Sequence, residues 1–316
     1  MNEKAQNPLS QVGQLPPNLQ GALWILSGAI LFSVMAVFIK YLGPSLGTPT
    51  IAFYRAIFSF LTILPFALSA GLAGLRTNRP VLHLFRGMLG TSAMFCGIFA
   101  VTNLALADAV ALSFTRPLFL IVLAVLFLGE VVRVRRWAAT AVGFAGVMIM
   151  VRPDGSNIDA GTMAALLGTM LVAATFVTVK KLSVTERPSL MLFYFGIISI
   201  AMTSVPALLD WREPTFDQFL MLVGAGVFGV AGQACVVRGL KIGEATAVMP
   251  FDYARIIIAA AIGYWLFGEV PDIWTGVGAA VIIGASLYIA HREATRKKHE
   301  DLNNVAQMSE DWSKPA

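Results

Sequence analysis

The sequence predicts an all-α integral membrane protein, with ten transmembrane helices arranged as two inverted five-helix repeats. Three observations carry that prediction. The 316 residues are 57% hydrophobic and 13% charged, whereas soluble proteins carry roughly 25% charged residues. The apolar residues are gathered into stretches of about 20, the length that crosses a bilayer as a helix. Residues in the first half recur in the second at a nearly constant offset.

The ten spans fall at about 20–41, 50–71, 81–101, 106–128, 134–151, 160–180, 189–209, 216–237, 245–267 and 273–290. Short polar links separate them and hold most of the proline and basic residues. Residues 1–19 are polar, contain Pro8, Pro16 and Pro17, and lack a cleavage-site pattern, so they read as a disordered cytoplasmic tail. Residues 291–316 form a second polar tail. A soluble helical protein with a large core would need a polar face on each helix, and Leu118–Leu128 has none. Cys96 and Cys235 lie in apolar runs and read as small core residues.

Orientation follows from the basic residues. The links after spans 2, 4, 6 and 8 hold Arg76, Arg79, Arg133, Arg135, Arg136, Lys180, Lys181, Arg187, Arg238 and Lys241. The other links hold Arg152 and Arg212, with Lys40 at a span end. Positive residues stay inside, so both termini are expected in the cytoplasm and the protein in the inner membrane. The net charge of +5 is thereby a topology signal, and no nucleic-acid partner is expected.

A shift of 139 residues superposes Gly87 on Gly226, Gly90 on Gly229, Cys96 on Cys235, Arg116 on Arg255 and Gly129-Glu130 on Gly268-Glu269. A shift of 140 superposes Gly28 on Gly168, Lys40 on Lys180, Phe53-Tyr54 on Phe193-Tyr194 and Ser59 on Ser199. The repeats are 20–151 and 160–290. Five spans is an odd number, so the second copy enters the membrane upside down, the architecture of many secondary transporters.

The run Ser113-Phe114-Thr115-Arg116-Pro117, ending in Phe127-Leu128-Gly129-Glu130, resembles the EamA-like branch of the drug/metabolite transporter superfamily. Its second copy runs from Pro250-Phe251-Asp252-Tyr253-Ala254-Arg255 to Leu266-Phe267-Gly268-Glu269. Within the branch the sequence is loosely similar to bacterial S-adenosylmethionine and riboflavin carriers. The resemblance implies a central cavity lined by spans 1–4 and 6–9, with spans 5 and 10 at the periphery. Gly143, Gly146, Gly276, Gly278 and Gly284 suit close helix contact, within the chain or across a homodimer.

Charges at membrane depth mark candidate sites. Arg116 and Arg255 each lie about ten residues, or about 15 Å, into their spans, near the midplane. An arginine fork matches carboxylate or phosphate. The pair is therefore a candidate subsite for a small organic metabolite bearing such a group. Asp252 has two readings, a proton carrier or the counter-ion of Arg255. Arg55, about 8 Å below the outer face, guides substrate or snorkels. Arg86 is expected to snorkel at the inner end of span 3, and Asp108 to serve the first turn of span 4. Glu130 and Glu269 are expected to hold loop structure. Phe32, Phe95, Phe114, Phe176, Tyr194 and Tyr253 are candidate rings for stacking a flat substrate, with Gln233 and Asn103 as polar candidates.

No Walker loop, HExxH run or Ser–His–acid set is present, and His83, His291 and His299 are not spaced as metal ligands. No cofactor, metal or catalytic residue is expected. The reading is a secondary active transporter of small organic metabolites working by alternating access. The alternative is a polytopic membrane enzyme acting on lipid-linked substrates, for which an interfacial cluster of acid, His or nucleophile is missing.

Overall fold

The computed structural model describes residues 16–68, 75–128, 134–151, 159–182, 185–243, 248–288 and 291. Residues 1–15 and 292–316 of the expected tails, and Glu130 with the link around it, lie outside the described residues, whereas Pro17–Leu19, expected in the first tail, begin the first helix. Helix α1 runs Pro17–Leu68, α2 Pro80–Asn103, α3 Leu106–Ser113, α4 Arg116–Leu128 and α5 Val134–Val151. Helix α6 runs Ala160–Leu182, α7 Pro188–Leu209, α8 Phe216–Ile242, α9 Ala254–Phe267 and α10 Ile273–Tyr288. A 3-10 turn, Met249–Tyr253, leads into α9. No strand occurs among the described residues.

Six apolar helical stretches are long enough to cross a membrane: α1, α2, α3 with α4 as Leu106–Phe127, α6, α7 and α8. The first two expected spans are two helices that meet at a kink within the run Pro17–Leu68. Gly47 alone makes the bend, at φ 71° and ψ 164°, a conformation favouring a residue without Cβ. The bend is held from the α7–α8 link. Arg212 Nη1 donates to Ser45 O at 3.2 Å, and Gln218 Nε2 donates to Ser45 Oγ at 3.2 Å.

Local signals account for several helix ends. Pro80 and Pro188 open α2 and α7, where a missing N–H is harmless. Thr215 and Gln218 form a capping box on α8. Lys180 and Lys181 sit in the last turn of α6, favourable to the helix dipole.

Packing is built around small residues. Helix α8 lies along α1, α6 along α2, and α7 contacts both α1 and α2. A Cβ placed on Gly28 of α1 would lie 3.4 Å from Cys235 Cβ of α8, and one on Gly168 of α6 would lie 2.9 Å from Cys96 Cβ of α2. Each member of the second contact is a repeat partner of a member of the first, with the halves exchanged. The same exchange relates Gly87 on Ile198 to Gly226 on Phe58, and Gly90 on Phe195 to Gly229 beside Arg55.

Helices α5 and α10 meet within the chain. A Cβ on Gly146 would lie 3.1 Å from Gly278 O, and one on Gly278 would lie 2.7 Å from Gly146 O. Those glycines therefore serve an internal seam. Large apolar side chains such as Leu126, Ile257 and Trp265 are exposed, as suits a surface bathed in lipid.

Gly278→Ala should lower thermal stability in detergent by about 1–3 kcal/mol through overpacking against a backbone oxygen. Gly276→Ala, with nothing within 4 Å of its added carbon, should leave stability unchanged or raise it by up to about 1 kcal/mol. Thermal unfolding of both variants checks the seam; equal shifts would contradict it.

Candidate functional site

Pro117 has no N–H to give to the carbonyl four residues back, so the helix cannot run straight through. Helix α3 ends at Ser113, and Phe114 and Thr115 N–H tighten onto Ala111 O and Leu112 O, each at 3.1 Å. Helix α4 restarts at Arg116, with Leu118 N–H on Thr115 O at 2.9 Å. The second repeat has irregular backbone at the equivalent place. The turn Met249–Tyr253 precedes α9, and Arg255 is the second residue of that helix. Both arginines thus sit at the N-terminal ends of helices, where the dipole already presents partial positive charge.

The two charges are in electrostatic reach of each other, and Asp252 acts on Arg116 with the opposite sign. Arg255 Nη2 donates to Ser113 Oγ at 3.0 Å, which joins the two broken helices. Its guanidinium lies 5.6 Å from the Phe32 ring centre and 5.0 Å from that of Phe114. Arg116 lies 5.7 Å from the ring centre of Phe176. The Phe114 and Tyr253 rings are 4.7 Å apart. Ser286 Oγ donates to Phe114 O at 3.3 Å. The Nε atoms of Arg116 and Arg255 and Oδ1 of Asp252 are buried without hydrogen-bond partners.

No ion pair joins Asp252 and Arg255 in this structure, and Asp252 Oδ1 is buried without a hydrogen-bond partner. Arg255 is directed across to α3, to Ser113, instead of back along its own chain. The sequence-predicted set therefore divides. Arg116, Arg255, Asp252, Phe114 and Tyr253 come together, with Phe32 and Phe176. Ser113 and Ser286 belong to the same cluster; Ser113 stands within the arginine motif, but its hydroxyl carries no distinct signal in the sequence.

The other candidates fall elsewhere. Arg55 lies on the second leg of α1 beside Gly229, with its Nε buried and unpartnered. Phe95 packs against a cluster that includes Ile39, Leu42 and Ile98. Tyr194 lies 4.7 Å from the His83 ring and donates to Leu75 O at 3.0 Å. Asn103 donates to Phe99 O at 2.8 Å and so finishes its own helix. Gln233 is exposed on α8.

Arg86 does not snorkel. It is 8% exposed, donates from Nη1 to Met191 O at 3.0 Å and lies 4.8 Å from the Phe195 ring centre. It ties α2 to α7. Asp108 does sit in the first turn of α3, with its Oδ1 buried and without a hydrogen-bond partner. Glu269 bridges to Lys40 on α1 instead of holding its own loop. Among the described residues no cluster of His, Cys, Asp and Glu is placed to hold a metal.

The pattern of the EamA-like transporter family matches residues 19–152 and again 159–290. The chain belongs to the EamA-like transporter family. Relatives include the S-adenosylmethionine uptake transporter of Rickettsia prowazekii (strain Madrid E), 33% identical over 89% of this chain and 97% of that protein. The riboflavin transporter of Rhizobium johnstonii is 34% identical over 88% of this chain and 93% of its own. The pseudopaline exporter CntI of Pseudomonas aeruginosa is 28% identical, with coverages of 85% and 95%. A crystal structure 19% identical in sequence shares the fold, with a TM-score of 0.58 over 87% of this chain and 98% of its own. This EamA-like protein is a multi-pass membrane transporter of small metabolites and not an enzyme.

Arg86→Met should lower stability by about 1.5–3 kcal/mol, the worth of a charge-assisted hydrogen bond, and Tyr194→Phe by about 1 kcal/mol. Thermal unfolding in detergent checks both. An Arg86→Met variant as stable as the parent would contradict the tie between α2 and α7.

Proposed function

We propose that this protein is a secondary active carrier that moves small organic metabolites across the inner membrane by alternating access, with the Arg116–Arg255 cluster as its substrate site. The single observation that carries the proposal is the meeting of two half-buried arginines, each at the start of a helix. Neither has an ion-pair partner among the described residues. Two cations and two positive helix ends facing one place ask for an anion, and a carboxylate or phosphate on the substrate supplies it. Asp252 beside them suits a substrate that also carries positive charge. Phe32, Phe114, Phe176 and Tyr253 offer ring faces for a planar group. S-adenosylmethionine and riboflavin, named for two relatives, both contain planar ring systems.

The ten-span, inverted-repeat reading supports the mechanism. The two legs of α1 at Gly47 are about 45 Å and 31 Å long at 1.5 Å per residue, each enough to cross. Helix α9 with its 3-10 turn, α5 and α10 complete ten helical segments. The exchanged contacts of Gly28 with Cys235 and Gly168 with Cys96 are what a two-fold axis in the membrane plane produces. Residues 20–151 and 160–290 are then the two repeats, and the basic links place both termini in the cytoplasm.

A ligand that binds the folded carrier raises its unfolding temperature. A panel with S-adenosylmethionine, riboflavin, which bears neither carboxylate nor phosphate, and metabolites that bear one of those groups should yield at least one stabiliser. Arg116→Leu and Arg255→Leu should each weaken its binding by about 2–5 kcal/mol and abolish counterflow in proteoliposomes. Unchanged affinity and counterflow in folded variants would refute the site. Asp252→Asn should abolish acceleration of uptake by an imposed proton gradient while leaving counterflow in place; gradient-driven uptake that persists would exclude coupling through Asp252.

A further inference from the structure

The three helices that meet at the arginine cluster meet again about 12 Å farther along, eight residues on at 1.5 Å each. The order along α1 is Phe32, Ala36, Lys40, and along α3, running the other way, Phe114, Val110, Leu106. Along α9 it is Arg255, Ala259, Gly263, with Glu269 just past the helix end. At the first level Arg255 lies against Phe32 and Phe114. At the second, Ala36, Val110 and Ala259 share one buried cluster with Leu106. At the third, Glu269 pairs with Lys40 and its Oε2 accepts the Leu106 N–H at 2.8 Å. Lys40 Nζ also donates to Leu104 O and lies 5.4 Å from the Phe267 ring centre.

The backbone is shaped for that contact. Gly268 adopts φ 66° and ψ 22°, and its N–H turns back onto Gly263 O and Tyr264 O. Glu269 N–H bonds Gly263 O at 3.0 Å, which aims the carboxylate back over the helix end toward α3. Lys40 also balances a surplus of negative charge. Asp108 is repelled by Glu269 and Asp272 and attracted by Lys40. Removing the lysine charge leaves mutually repelling carboxylates at the junction of α1, α9 and the α2–α3 link.

We propose that Lys40 and Glu269, closed on the backbone of Leu104 and Leu106, are the outer gate of the transport path. The pair positions the helices over the site without touching substrate. Ala36, Val110 and Ala259 are the plug beneath it. The inference rests on the carrier reading above, and its test uses no substrate, so the two can fail separately.

The test is labelling of a single cysteine, Val110→Cys, in the full chain carrying Cys96→Ala and Cys235→Ala. The probe is a membrane-impermeant maleimide applied to each face of oriented membranes. With Lys40 and Glu269 intact, labelling from outside should be slow. Glu269→Gln keeps an acceptor for Leu106 N–H but drops the charge, and Lys40→Met drops the other; each should speed outside labelling by about tenfold, a shift of the gating equilibrium. Lys40→Arg should restore slow labelling. Unchanged outside rates in Glu269→Gln and Lys40→Met, with both proteins monodisperse by size exclusion, would overturn the gate. Acceleration only from the cytoplasmic face would overturn both the gate and the proposed orientation, while leaving the arginine site to the binding test.

Discussion

The arrangement depends on one constraint: a guanidinium stays charged in an apolar bilayer, and a charge there is costly until it is matched. Arg116 and Arg255 are matched only in part. Aromatic faces lie against each, and one hydroxyl, Ser113 Oγ, accepts from Arg255. Their Nε groups remain without partners. Pro117 breaks the helix at the first arginine and a 3-10 turn precedes the second, so irregular backbone lies next to the charges, and such backbone is tolerated at membrane depth where it is buried in protein or lines a cavity. A substrate that completes this matching gains more than one that merely fills the space.

The second theme is exchange between halves. Contacts made by the first repeat toward the second are repeated with the roles reversed, from the Gly28–Cys235 contact to the approach of Gly229 to Arg55. On the proposed carrier reading, such a fold has two nearly equivalent ways to pack, one for each half taking the other's part. Small energetic inputs, such as a bound anion between the arginines or a broken charge pair at one mouth, can then choose between them.

Much of the fold is legible in the sequence because membrane spans announce themselves by length and apolarity. The span expected at 189–209 is the helix Pro188–Leu209, and that expected at 160–180 is Ala160–Leu182. The first link reads as a turn because Gly43, Pro44, Gly47 and Pro49 are turn signals, and the chain does leave the helical conformation there, at Gly47. The core of the site is legible from repeat-related charges at equal depth. What is not legible is direction around a helix. Arg86 and Tyr194 carry chemistry suited to a site, yet their helices turn them toward Met191 and Leu75 carbonyls. Asp252 and Arg255 stand three apart in sequence, yet the hydrogen bond that Arg255 makes runs across to Ser113.

The most direct test of the central claim is a comparison of two ligands on the unaltered protein. Calorimetry would measure the best-stabilising carboxylate metabolite against its own carboxamide, equal in size and shape but without the negative charge. If the arginine pair reads that charge, the carboxamide should bind about 100-fold more weakly, a difference of about 2.7 kcal/mol. Equal affinity for the two would contradict the account.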